Sequence, residues 1–314
     1  MKVAIAGTGI AYEHGERLRT MNDVQLTGLW GRTREKVIEK AGALNCPALF
    51  EYDELLAHGD PDLIIVAVPT DLHEQYVTEA LNAGKHVFCE TPLAYNSIEA
   101  ERMTVKAADS GKTLSVGLFQ NFNNPFRWLA DQSSEAPFES INIYRRTAPV
   151  WGKMRHIVLD LMLHDIDSVV SIAGIPGHVS ARGKKDSSGD WNQVTIDLAY
   201  SGGTIRIEGD SALPMGFPFS AGFFARRTQS GKSLAADFRL SFPKSGFDFV
   251  FKIWNDEGEL EHQVTGLDPY YAELSYLVEK LTNGELPELV SAHRALSAIQ
   301  IAEKAVSLLE EDKV

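Results

Sequence analysis

The sequence predicts an α/β Rossmann domain, a doubly wound parallel sheet, followed by an α+β domain with an open, largely antiparallel sheet. Three observations predict this. The chain begins with a short apolar run, Val3 to Ala6, that breaks into Gly7-Thr8-Gly9 and then into a helical pattern. Short apolar runs and helical stretches then alternate to about residue 118, as they do in a parallel sheet covered by helices on both faces. Past Phe122 the pattern changes to one strongly apolar helix, period-two segments and two closing helices.

The first half is read as strands at Val3 to Ala6, Val24 to Trp30, Ala48 to Phe50, Leu63 to Val68, His86 to Cys89 and Thr113 to Gly117. Between them lie helices such as Arg34 to Ala43, Leu72 to Ala83 and Ile98 to Ser110. The second half is read as a helix over Ile157 to Ala173, strands over Gln193 to Tyr200 and Thr204 to Glu208, and helices over Tyr270 to Thr282 and Ala292 to Leu309. Phe217 to Ser233 reads either as a strand pair or as a mobile loop. The expected domains are residues 1–118 and 119–314, each long enough to bury its own core.

Charge and cysteine content narrow the function classes. Thirty Lys and Arg against 43 Asp and Glu give a formal charge of -13, which repels nucleic-acid backbones and anionic membranes. Neither is an expected partner. Cys46 and Cys89 are too few for a disulfide framework, and the first residues read as a strand instead of a basic leader, so a cytoplasmic protein is expected. The longest apolar run, Leu63 to Val68, is a buried strand and far short of a membrane span.

The glycine loop is the first candidate site. Gly7 permits a tight turn, Gly9 lets the backbone approach a pyrophosphate, and Thr8 and Ile10 stand between the loop and the positive end of the helix. Tyr12 occupies the place of the usual third glycine, so either looser packing of that helix or a differently shaped phosphate loop is expected. The second strand ends in Arg32-Thr33-Arg34, where an NAD site would carry a carboxylate for the ribose hydroxyls. These residues suit a 2′-phosphate, which favours NADP(H) over NAD(H); the alternative is a solvated loop. Pro69, Thr70 and His73 follow the fourth strand at the sheet's carboxyl edge, with Thr70 a candidate helix cap. His73 lies either near the cofactor or satisfied by local backbone.

Asp160 and His164 are four apart on the apolar helix and share a face, with Asp167 one turn further on. A histidine near neutral pKa suits general acid–base work, and a neighbouring carboxylate orients the ring. The alternative is a structural pair. No further ligand cluster supports a metal there, and none is expected.

The run Gly84 to Leu93, which contains Glu90-Thr91-Pro92, resembles the signature of the glucose-fructose oxidoreductase, inositol dehydrogenase and MocA family, written Gfo/Idh/MocA. The glycine loop, the Pro69 to His73 turn and the Asp160/His164 spacing share the resemblance, which extends over nearly the whole chain. It implies an NAD(P)-dependent oxidoreductase moving hydride between nicotinamide C4 and a hydroxyl or carbonyl carbon of a small-molecule substrate. That substrate would be a sugar, a cyclitol or a nucleotide sugar. It further implies that Glu90 and Pro92 shape the nicotinamide pocket, that His164 takes the hydroxyl proton, and that the chain forms a homodimer or homotetramer. The family has a lysine where this chain has Thr91, and such a group is worth ~10²–10⁴-fold in rate. Either another cation such as Lys153 or Arg155 replaces it, or the substrate carries its own acidic proton or conjugated acceptor, or catalysis has been lost.

Other departures rewrite the substrate contacts. Arg155-His156-Ile157 replaces a glycine run, and Gln120 to Pro125 replaces an arginine-containing segment. Arg145, Arg146, Lys153 and Arg155 either face an anionic substrate or are solvated; Trp151, Tyr270 and Tyr271 either stack on a sugar or pack. Two other readings remain: a nucleotide-binding sensor, and a biliverdin-reductase-like reductase of a conjugated acceptor.

Overall fold

The computed structural model describes residues 1–149, 156–242, 248–260 and 268–311. The chain divides into two units, Met1–Phe122 with Leu267–Leu296, and Asn123–Gly266 with Ser297–Val314.

In the first unit six parallel strands are arranged in the order β3-β2-β1-β4-β5-β6: β1 (Lys2–Ala6), β2 (Gln25–Trp30), β3 (Ala48–Leu49), β4 (Leu63–Val66), β5 (His86–Cys89) and β6 (Leu114–Val116). Helices α1 (Ile10–Leu18), α2 (Arg34–Leu44), α3 (Tyr52–Ala57), α4 (His73–Asn82) and α5 (Ser97–Ser110) connect them. Every residue of β4 is fully buried, which is why this strand reads as a continuous apolar run instead of an alternation. The strand order reverses between β1 and β4, which opens a crevice at their carboxyl ends.

Helix α1 does not pack loosely. Although Tyr12 fills the usual glycine place, Gly15 stands one turn later, where a Cβ would lie 2.5 Å from Leu44 and 2.9 Å from Ile5. The close approach of helix to sheet is thus moved along α1, and Tyr12 lies under the Lys40 ammonium at 4.4 Å.

The observed units differ from the expected 1–118 and 119–314. Helix α8 (Pro269–Thr282) returns to the first unit, where the Tyr270 ring stacks on Phe119 at 4.4 Å, Arg17 bonds the Asp268 carboxylate at 2.7 Å, and the buried Glu273 accepts from the Leu118 amide. Helical periodicity marks such a helix but not the surface it joins.

The second unit holds an eight-stranded sheet in the order β14-β13-β12-β11-β7-β10-β9-β8, antiparallel except where β10 runs parallel to β7. Its strands are β7 (Ser140–Arg146), β8 (His178–Lys185), β9 (Trp191–Tyr200), β10 (Gly203–Asp210), β11 (Ser220–Gln229), β12 (Lys232–Ser241), β13 (Asp248–Asn255) and β14 (Gly258–Leu260). Phe217 to Ser233, readable as strands or loop, falls mainly in the paired β11 and the start of β12. Phe223 and Phe238 are buried at 5.6 Å from each other with Phe126 of α6 (Asn124–Glu135) between 5 and 6 Å from both. Burying each ring contributes about 1.5–3 kcal/mol. The apolar helix expected over Ile157 to Ala173 is a π turn, Val158–Met162, continued by α7 (Leu163–Ala173). Helix α9 (Ala292–Glu311) closes the described chain.

No helix among the described residues is long and apolar enough to cross a membrane.

Candidate active site

The crevice of the first unit is a cavity of about 380 Å³. The glycine loop forms its floor because Gly7 adopts φ +134° and approaches β4 so closely that a Cβ there would lie 2.4 Å from the Ala67 carbonyl oxygen. Only glycine fits both demands. Gly9 borders open space, with nothing within 4 Å of a Cβ, and is the N-cap of α1. The first amides of that helix, beginning at the half-exposed Ile10, present the positive end of the helix dipole to the crevice. These residues fit a dinucleotide pyrophosphate.

Thr8, Arg32, Thr33 and Pro69 line the same crevice, as does Lys36, which sequence reasoning missed. Its lining contains two cations and no carboxylate. Arg34 is placed differently: its guanidinium lies 3.7 Å over the Phe50 ring, outside the crevice lining. The signal for Lys36 was its position in the first turn of α2 after Thr33, where a side chain and the helix amides face the same anion. Trp30 and Tyr76, 4.9 Å apart, supply an aromatic wall.

Thr70 does not cap α4. It opens a 3₁₀ turn, Thr70–Leu72, and the N-cap position of α4 is Leu72, with no side-chain cap. His73 is turned inward. It is 1% exposed, with Nε2 at 2.9 Å from the Val68 carbonyl and Nδ1 at 3.0 and 3.2 Å from those of Pro92 and Leu93. It ties the Pro69 turn to the Thr91-Pro92 turn.

Burial holds the His73 pKa below its ordinary value, against the pull of those carbonyls and the Glu90 charge. His86 and His156 are lowered too, chiefly by burial. The fold therefore prefers the neutral rings, and the unfolded chain takes up protons first as the pH falls. This stabilisation is complete above about pH 6.5 and declines as the pH drops below it, at up to about 1.4 kcal/mol per pH unit for each proton. Denaturant unfolding between pH 7.5 and 5 is expected to show that decline, and His73→Asn is expected to flatten it; an unaltered slope in the variant would contradict the assignment.

At the end of β5, the Glu90 carboxylate accepts from His14 Nε2 and, at 3.0 Å, from the Thr91 amide. The Thr91 hydroxyl donates to the Gly117 carbonyl. The Thr91-Pro92 peptide is cis. Thr91 is thus built into the turn and does not stand in for an ammonium. Sequence reasoning missed His14; the available signal was a histidine on the buried face of α1, beside Ala11, Gly15 and Leu18.

In the second unit the Asp160 carboxylate, inside the π turn, reaches back to accept from the His156 amide at 2.8 Å. The turn is wide enough for the Met162 side chain to lie on Gly209 of β10, where a Cβ would be 2.6 Å from its sulfur. Asp160 and His164 are both half-buried, one in the π turn and one at the start of α7. The next residue, Asp165, is 1% exposed and takes a two-point ion pair from Arg145 at 2.7 and 3.0 Å. Arg145 is therefore neither solvated nor turned to a ligand: it anchors α7 to β7. Arg146 is exposed over Tyr144, and Asp167 is buried.

Lys153, Arg155 and Trp151 lie outside the described residues. Tyr270 packs against Phe119, and Tyr271 is partly exposed. Gln120 and Asn121 are buried in a 3₁₀ turn. Burial pushes the Cys46 thiol up to about 11 and the Cys89 thiol upward as well, which keeps both protonated and unsuited to nucleophilic work. Among the described residues no three His, Cys, Asp or Glu side chains gather as metal ligands.

Residues 1–118 match the model of an oxidoreductase family with an NAD-binding Rossmann fold. The chain is 26% identical to scyllo-inositol 2-dehydrogenase (NADP(+)) IolW of Bacillus subtilis over 67% of its own length and 64% of that relative's. It is 22% identical to the myo-inositol 2-dehydrogenase of Thermotoga maritima, over 100% of this chain and 97% of that one. UDP-N-acetylglucosamine 3-dehydrogenase GnnA from Acidithiobacillus ferrooxidans shares the fold, with a TM-score of 0.82 and 17% identity over 99% of this chain and 98% of that one. The matched region thus spans just under two thirds of the first of these relatives.

Proposed function

We propose that this chain, whose residues 1–118 match an oxidoreductase family with an NAD-binding Rossmann fold, is an NADP(H)-dependent dehydrogenase or reductase of the Gfo/Idh/MocA kind. The observation that carries the cofactor reading is the crevice: a glycine floor with no room for a Cβ at Gly7, open space at Gly9, and Arg32 and Lys36 in its lining. That lining offers a 2′-phosphate two cations, while the adjoining cavity that shares Trp30, Gly31, Arg32 and Tyr76 with it is lined by Glu51, Asp53 and Glu79.

When bound, the dinucleotide supplies or accepts hydride at nicotinamide C4. Gly7, Thr8 and Gly9 with the first turn of α1 hold the pyrophosphate, and Arg32, Thr33 and Lys36 hold the ribose phosphate. Glu90 and Pro92 shape the turn at the end of β5. His164 takes the proton of the substrate hydroxyl in oxidation and returns it in reduction, with Asp160 fixing the turn from which the ring projects. Because the Thr91 hydroxyl is engaged by Gly117, proton transfer rests on His164. The substrate class is a polyhydroxylated ring: the relatives' names point to inositols and to a UDP-amino sugar.

The test is a screen of inositols, their ketones and UDP-sugars with NADP⁺ or NADPH, followed by nicotinamide absorbance. Turnover with at least one of them is the expected result. The loss of the lysine at Thr91 favours a second reading, a nucleotide-binding sensor; tight nucleotide binding without turnover across the whole screen would select it.

A further inference from the structure

The outer edge of the six-stranded sheet carries a second concave surface. β6 is the last strand there, and a single bridge between Ser115 and Ser291 ties the segment after α8 to it. Between that segment, α5 and the start of α9 lies a groove of about 550 Å³, all of it within the first unit and sharing no lining residue with the dinucleotide crevice. Ala107, Ala108, Leu114 and Pro287 give it apolar walls.

Beside this hollow stands an apolar knob. Leu286 is 75% exposed, so the fold forgoes the gain of burying it. It is held on a short, bonded turn: Gly284 leaves α8 at φ +70°, the Glu285 amide bonds the Lys280 carbonyl at 2.8 Å, Pro287 is buried, and a 3₁₀ turn, Glu288–Val290, follows at once. On α5, Ile98 and Val105 are 65% and 52% exposed and seven residues apart, with Ala108 three further on, so one helix face leads an apolar strip into the groove. Arg102, between them in sequence, is bonded to the Glu74 carboxylate of α4 at 2.5 and 2.8 Å. Contiguous exposed apolar surface of this kind marks a contact site.

The charges on the groove say what kind of partner it fits. Lys112, partly buried, and Glu288, exposed, both line it, and among the described residues neither takes part in an ion pair. The chain's charge of -13 opposes self-association in general, but this lining, with Lys112 and Arg294 against Glu288, is not acidic. A two-fold interface requires a patch that complements itself, residue i of one copy meeting j of the other and j meeting i. A hollow with a knob beside it, and a cation with an anion beside it, meet that requirement.

We propose that this groove is an isologous interface with a second copy of the chain, in which Leu286 of each protomer enters the groove of the other and Lys112 of each pairs with Glu288 of the partner subunit. The inference does not depend on the cofactor reading.

The test is sedimentation equilibrium of the full chain from about 1 to 100 μM, with the melting temperature of each variant as a check of folding. Wild type is expected to associate, and Leu286→Asp to raise the dissociation constant of that step at least about tenfold, since a charge replaces the central apolar contact. Lys112→Glu and Glu288→Lys are each expected to weaken it by roughly three- to tenfold, because like charges then face each other across the axis. An equimolar mixture of these two variants restores opposite signs at both cross-axis pairs and is expected to associate within about threefold of wild type. A mixture that associates no better than its components overturns the proposal. So does a wild type that stays monomeric throughout, which leaves the groove to a ligand of other chemistry, or an assembly indifferent to Leu286→Asp, which places the interface elsewhere. If Leu286→Asp does not fold, the mixture decides it.

Discussion

Replacing His164 with alanine is expected to lower kcat by roughly 10²–10⁴-fold while leaving the Kd for NADP(H) within about twofold of wild type. The size follows from the role: a positioned acid–base group is lost, and Thr91, whose hydroxyl is spent on Gly117, offers no replacement. The specificity of the effect follows from the fold. His164 lies in the second unit, at the junction of a π turn and α7, and its removal leaves the Asp165–Arg145 pair that anchors the helix in place. Removing that anchor instead would strand a buried charge and cost about 3–5 kcal/mol, so Asp165→Ala is a poor probe of chemistry. Stopped-flow or steady-state assays with the substrate found by screening read the result. Undiminished turnover in His164→Ala would remove the histidine from the mechanism and favour a substrate that needs no protein acid.

The second large effect concerns cofactor choice. The double variant Arg32→Ala/Lys36→Ala is expected to raise the Kd for NADPH by roughly 10–100-fold and that for NADH by less than about threefold, since each cation contributes a charge-assisted bond to a group only NADPH carries. Arg34→Ala is expected to matter little, because that guanidinium is stacked on Phe50. Titration calorimetry on the three proteins distinguishes the roles. A dominant effect of Arg34→Ala would mean that the ring contact opens on binding and that the crevice lining misassigns the phosphate site.

Much of this architecture is legible in the sequence because it rests on local pattern. The continuous apolar run of β4 and the alternation in β9 and β10 follow from which faces are covered. What is not legible depends on distance along the chain. Gly15 compensates for Tyr12 only because Leu44 and Ile5 are its neighbours, and α8 joins the first unit through Phe119, Arg17 and Leu118. Arg145 looks like a free cation until Asp165, twenty positions later, is seen to hold it. The candidate site divides in the same way. Motif spacing marks Gly7, Glu90 and His164, whereas Lys36, the inward turn of His73 and the His14 contact with Glu90 arise from packing that no spacing encodes.

The central claim is a nicotinamide dinucleotide site that selects the 2′-phosphate. It is tested most directly by the melting temperature of nucleotide-stripped wild-type protein with NADPH and with NADH at matched concentrations, since a ligand that binds only the folded chain must stabilise it. A larger upward shift with NADPH is the expected result. Equal or greater stabilisation by NADH would contradict the roles of Arg32 and Lys36, and no shift with either nucleotide would contradict the site itself.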